Sequence, residues 1–209
     1  MTEPQDRREL IVATAAEMFA RKGIRATTVR EIADAVGVLS GSLYHYFRSK
    51  DEIVQEILSE FLEEVRARYA EVLGRGDDCA QTLRELVLAS LRVASQRPSA
   101  TAIYQNQLRY LRDRPEFKEG AAEAKRVWLE LIDRGVAEGV FRADIPPRVF
   151  YRLIRDAVWM SWRGPRPDGM YSLEELADAI TSIFLEGFIA RPESAVGTST
   201  ATATAARRR

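Results

Sequence analysis

Residues 27–50 read TTVREIADAVGVLSGSLYHYFRSK. Thr28 and Glu31 stand three apart just ahead of apolar residues, the hydroxyl–carboxylate spacing of a capping box, so a helix starts there. Ile32, Ala33 and Val36 fall on its inner face and Gly37 breaks it. A second short helix is expected from near Ser40 to near Phe47, with Val38 and Leu43 buried to fix the angle between the two. Two short helices across a glycine turn make a helix-turn-helix. The outer face of the second helix carries Ser40, Gly41, Ser42, Tyr44, His45 and Tyr46, small or hydrogen-bonding residues with no carboxylate among them. That suits a helix in the major groove of double-stranded DNA, where a carboxylate would face phosphates. An ordinary polar surface is the other reading, and the aromatic density of Tyr-His-Tyr-Phe speaks against it.

The charge distribution points the same way. The chain of 209 residues has a formal net charge of zero, which by itself argues against a general nucleic-acid binder. Locally, residues 21–50 hold six basic side chains against two acidic ones, and residues 51–64 hold six acidic and no basic ones. A basic patch that stops at an acidic helix aims one region at a polyanion while the remainder stays neutral or repels it.

Outward from this stretch the chain reads as all-α, with no sustained period-2 alternation. A first helix is expected over Asp6–Lys22, with Leu10, Ile11, Ala15, Met18 and Phe19 inward and Gly23 ending it. Ser49 and Glu52 form a second capping box that opens a long helix to about Leu73. A linker follows at Gly74–Asp78, then helices around Gln81–Gln96, Ala100–Leu111, Pro115–Glu138 and Pro147–Trp162, a loop at Gly164–Gly169, and a last helix opened by Ser172 and Glu175 and ending near Ile189. Three parts are expected: a reader over 1–52, a larger helical domain over 53–190, and a low-complexity, disordered tail over 191–209. Arg207–Arg209 of that tail are read as solvated rather than as a DNA contact.

Composition excludes several classes. Cys79 is the single cysteine and His45 the single histidine, so neither an intramolecular disulfide nor a usual zinc site is expected. No phosphate-cradling glycine loop, nucleophile elbow or metal-ligand cluster is present, so neither an enzyme nor a cofactor is expected. The polar start and the lack of a long apolar run predict a cytoplasmic protein that does not enter membranes.

The stretch Thr27–Lys50, with the preceding Ala-Ala-Glu-Met-Phe-Ala-Arg-Lys-Gly, resembles the DNA-binding signature of the TetR family of transcriptional regulators. The resemblance implies a homodimer with an N-terminal three-helix reader and a C-terminal helical domain that binds a small effector and relieves repression. Position by position, it implies that Thr28 caps the second helix and, with Arg30, approaches phosphate or a base edge. It places Ser40, Gly41 and Ser42 at the bases, and Tyr44, Tyr46 and Lys50 on phosphate. His45 is left between a base contact and a packing role.

In the second domain, Ile103, Tyr104, Leu108, Val127, Trp128, Leu131 and Ile132 fall at helical spacing and read as core or as pocket wall. Arg155 and Trp159 are four apart on one helical face, with Arg152 a turn earlier. An arginine fork beside an indole fits a ligand with phosphate or carboxylate and a stacking ring, such as an acyl-coenzyme A. An ion pair with Asp156 beside a buried tryptophan is the plainer alternative. Val38–His45, Ala102–Gln105 and Tyr151–Trp159 are similar to an actinobacterial subgroup that represses late, ring C/D sterol breakdown. That likeness implies a steroid-derived acyl-coenzyme A effector sensed at Arg155 and Trp159. A multidrug-type sensor of hydrophobic cations would instead need buried carboxylates. The last two helices are expected to form a four-helix dimer interface through Phe150, Leu153, Ala157, Val158 and Met160 on one, and Leu176, Ile180, Ile183, Phe184, Gly187 and Phe188 on the other. Two-fold symmetry then requires a palindromic operator.

Overall fold

The computed structural model describes residues 4–106, 115–161 and 171–188. The tail, the Gly164–Gly169 loop, Leu108, Trp162 and the side chain of Phe188 lie outside the described residues. The regular elements that are described are helices: α1 Pro4–Lys22, α2 Val29–Ala35, α3 Ser40–Leu43, α4 Lys50–Leu73, α5 Cys79–Gln96, α6 Pro98–Asn106, α7 Pro115–Ala137, α8 Pro147–Ser161 and α9 Leu173–Phe188. None of them is long and apolar enough to cross a membrane.

The caps set the starts. Thr28 accepts from the Glu31 amide while the Glu31 carboxylate accepts from the Thr28 amide, a complete capping box at α2. Ser172 and Glu175 form the same reciprocal pair at α9. At α4 only half of the box forms: Ser49 accepts from the Glu52 amide, but the Glu52 carboxylate turns to the amide of Arg48. Asp78 caps α5 by accepting from Gln81. Gly37 ends α2 at φ +72°, a left-handed turn that a side chain would strain.

α5 is the central post, with Leu83, Leu86, Val87, Leu91 and Val93 fully enclosed. α4 packs along it and touches α1, α6 and α7 as well, and α1 also packs on α6, so the N-terminal unit meets the rest through both α4 and α1. The helix runs unbroken through residues 52 and 53. Within the protein, Tyr69 of α4 bonds Ser90 of α5 at 2.7 Å. Burial, partly offset by that bond, pushes the Tyr69 hydroxyl up to about 12, so it stays a neutral phenol.

Several expectations change. The second helix of the helix-turn-helix is α-helical only over Ser40–Leu43, then continues to Phe47 as hydrogen-bonded turns. Leu10 is 44% exposed rather than inward. On the last two helices, Phe150, Val158 and Ile180 are buried inside the protomer, and Phe150 packs edge-on against Phe184 with centroids 5.6 Å apart. The apolar side chains left outside are Val149, Leu153 and Met160 on α8 and Ile183, at 72% exposure, on α9. The expected stripe had merged the two faces of α8: residues 149, 153 and 160 recur on the outer one, while 150, 154 and 158 recur on the inner one.

Candidate DNA-reading face and effector pocket

α2 and α3 are held by cations that reach across from α1 and α4. Arg7 donates to the carbonyl of Val36 at 3.2 Å. Arg8 donates to the carbonyl of Tyr46 at 2.8 Å, pairs with Glu56 of α4, and lies 4.1 Å over the Phe47 ring. Lys50 donates to the carbonyls of Ile24 and Thr27, each at 2.7 Å. The ammonium expected on phosphate thus spends two of its three donors tying α4 to the α1–α2 loop. No local pattern marks the Arg7 and Arg8 contacts, which close over 29 and 38 residues of chain.

Arg30, Gly41, Tyr44 and His45 are exposed, Ser40, Ser42 and Tyr46 half-buried. Arg30 has only a loose contact with Asp34, at 3.9 Å. Thr28 is exposed, but its hydroxyl is engaged by Glu31 in both directions. Hydrogen bonds from Lys22, then from Thr28, hold the Glu31 carboxyl down at about 2. Gly41 is informative because a Cβ there would meet nothing within 4 Å. A helical glycine sacrifices roughly 1 kcal/mol relative to alanine, and no intramolecular contact requires it, which fits the close approach of an outside surface.

In the second domain two neighbouring spaces share the walls Tyr104, Tyr151, Arg155 and Trp159. The inner one is about 30 Å³, roughly one water's share of liquid volume, and is also lined by Phe61, Leu62, Val65 and Tyr69 of α4 and by Trp128 and Val158. Its rings interlock: Phe61 lies 5.5 Å from Tyr104 and 6.2 Å from Trp159, and Trp128 lies 6.1 Å from Tyr69 and 6.4 Å from Tyr151. Burial pushes the Tyr104 hydroxyl up to about 12. The outer one is a cleft of about 410 Å³ whose rim carries Lys118, Lys125 and Arg155 against one carboxylate, Asp156. Arg155 bonds Asp156 at 2.7 and 3.0 Å and lies 5.6 Å over the Tyr151 ring, with Lys125 6.0 Å from the same ring.

Four of the five expected effector residues, Arg155, Trp159, Tyr104 and Trp128, therefore meet at one place, and the Arg155–Asp156 pair is present as well. Arg152 does not join them: it is exposed and lines neither space, because the pocket is built against Tyr151 and the part of α8 from Arg155 onward. Tyr151, Phe61, Leu62, Lys118 and Lys125 were missed. Tyr151 was within reach of sequence reasoning, since 151, 155 and 159 form one i, i+4 series. The α4 and α7 walls were not, because nothing local marks which apolar face of α4 meets α8.

A helix-turn-helix unit packed on an all-helical domain is the architecture of a DNA-binding regulator. Residues 11–57 match the model for bacterial regulatory proteins of the tetR family, and residues 76–188 match the tetracyclin repressor-like C-terminal domain. The chain belongs to the TetR family: it is a transcriptional repressor, not an enzyme. It is 38% identical over 189 residues to the HTH-type transcriptional repressor KstR2 of Mycolicibacterium smegmatis, covering 89% of this chain and 92% of that protein. It is 40% identical over 184 residues to KstR2 of Rhodococcus jostii, covering 87% and 90%. The solved structure of the ketosteroid transcriptional regulator KstR2 of Mycobacterium tuberculosis superposes with a TM-score of 0.80 at 36% identity, covering 90% of this chain and 97% of that one.

Proposed function

We propose that the protein is a cytoplasmic homodimeric repressor that holds a palindromic operator until an acyl-coenzyme A from sterol breakdown enters its second domain. The observation that carries this reading is the pairing of a cationic cleft with an aromatic chamber. Lys118, Lys125 and Arg155 suit the phosphates of coenzyme A, and the rings behind them suit a compact apolar acyl group. A hydrophobic organic cation would meet like charge at the rim. The resemblance to KstR2 repressors supports the same ligand class.

Arg30, Ser40, Gly41, Ser42, Tyr44 and His45 form the DNA-contacting face, with Thr28, Tyr46 and Lys50 holding its frame. Dimerisation runs through Val149, Leu153 and Met160 of α8 and Ile183 of α9, apolar side chains that a lone protomer leaves in water. Release follows from volume. A space for one water cannot admit a fused-ring acyl group, so a wall must move, and Phe61, Leu62, Val65 and Tyr69 put α4 in that wall. An ordinary coupling needs about 1–3 kcal/mol of differential affinity between the DNA-competent and released forms.

The test is a duplex selected from random sequence by the wild-type protein, then titrated with a bicyclic steroid acyl-coenzyme A, free coenzyme A or rhodamine 6G. The acyl-coenzyme A should release the duplex and the cation should not. Arg155→Met should bind the duplex as wild type does and fail to release it. Release by the cation alone would refute the ligand class, and joint loss of DNA binding and dimerisation in Arg155→Met would make Arg155 a structural ion-pair partner.

A further inference from the structure

Leu39 is 80% exposed, more than any other large apolar side chain among the described residues. It stands immediately before Ser40, on extended backbone at φ −67° and ψ 142°. Its side chain makes no hydrogen bond to α3, where Ser, Thr, Asn or Asp would have stabilised the helix start. Neither the core nor the start of α3 accounts for a leucine here.

Its surroundings give it a chemical context. Ser40 follows it, Gly41 leaves open space where a Cβ would stand, and Tyr44 is 54% exposed. From Leu39 to Arg48 the chain has no carboxylate. Hydroxyl and imidazole groups on this face read hydrogen-bonding base edges. The one apolar feature that the major groove displays is the C5 methyl group of thymine.

We propose that Leu39 determines sequence specificity by packing its isobutyl group on a thymine methyl in each half-site. This rests on the duplex-binding reading above and extends it to a named base. A thymine methyl projects into the groove, and an apolar side chain beside it removes both surfaces from water without any hydrogen-bond requirement. One contact per protomer places the chosen thymines symmetrically about the operator centre.

The experiment replaces each thymine of the selected duplex, one pair of symmetry-related positions at a time, with deoxyuridine, which removes only the methyl group. At one thymine per half-site, wild-type affinity should fall about fourfold for each methyl lost, the value of burying one such group. Leu39→Ala should bind the thymine duplex correspondingly more weakly and be indifferent to deoxyuridine at that position. Leu39→Met, which restores apolar bulk, should recover most of the discrimination. Because the side chain is exposed, all three proteins should melt together. Deoxyuridine that is silent at every thymine, or Leu39→Ala that keeps the full thymine preference, overturns the assignment. A wild-type protein that selects no duplex at all overturns the duplex-binding reading, and this contact with it.

Discussion

Lys50→Met separates two roles that one ammonium can play. The substitution keeps the apolar stem and removes two charge-assisted hydrogen bonds, to the carbonyls of Ile24 and Thr27 at 2.7 Å. Bonds to charged groups contribute about 1.5–3 kcal/mol each. Lys50 is half-buried, so water replaces part of each, and a total of about 2–3 kcal/mol is expected. For a chain of this length each kcal/mol shifts the melting midpoint by roughly 2–4 °C, which gives a fall of about 4–12 °C by circular dichroism. The salt dependence of duplex binding is measured on the same protein by fluorescence anisotropy. A phosphate contact would flatten the slope of log affinity against log salt by about 0.9 per ammonium removed. With the ammonium committed to carbonyls, the slope should stay within about half of that unit. A variant that melts with wild type and loses nearly one unit of slope per protomer would show that Lys50 leaves its carbonyls for phosphate, and the bracing role would fall.

Gly41→Glu should abolish duplex binding while leaving the melting curve unchanged, because the new side chain enters open space within the protein and places a carboxylate against phosphates; retained binding would move the reading face elsewhere. Gly135→Ala should destabilise by about 1–3 kcal/mol, since its Cβ would lie 2.2 Å from the Phe141 ring, and an unchanged midpoint would show that the ring yields freely. The Glu31 carboxyl is depressed from 4.5 to about 2, so its contribution to α2 is fully present above pH 4.5 and is lost as the pH falls toward 2. Acid titration of wild type against Glu31→Gln should show the wild type losing more stability across that window, and parallel curves would mean that the cap adds nothing as a carboxylate.

The parts of the fold legible in the sequence are those specified over short distances. Thr28 with Glu31 and Ser172 with Glu175 place helix starts because each motif closes within one turn of backbone. Gly37 marks its turn for the same reason. The length of α3 was misread because Tyr44–Tyr46 keep hydrogen-bonded turns that resemble helix in pattern but not in class. The outer and inner faces of α8 were merged because Val149, Phe150, Leu153, Ile154 and Val158 are all apolar, and periodicity alone does not say which row meets a neighbour. Arg155 and Trp159 stood out by chemistry. Their α4 and α7 counterparts are ordinary apolar residues or lysines whose meeting depends on how three distant helices cross.

That crossing also supplies the link between pocket and reader that the proposed function requires. α4 gives Phe61, Leu62, Val65 and Tyr69 to the inner chamber, and about a turn earlier it gives Glu56 to Arg8, which holds the Tyr46 carbonyl where the α3 segment ends. At its first residue it gives Lys50 to the α1–α2 loop. A displacement of α4 near Phe61 therefore meets hydrogen-bonded attachments at both ends of the helix-turn-helix. In the release proposed above, α4 carries the reader with it against the α1–α6 packing, and the quantity that changes is the position of one reader relative to its two-fold mate. On the palindromic operator proposed above that is enough, because the spacing of the half-sites is fixed by the DNA.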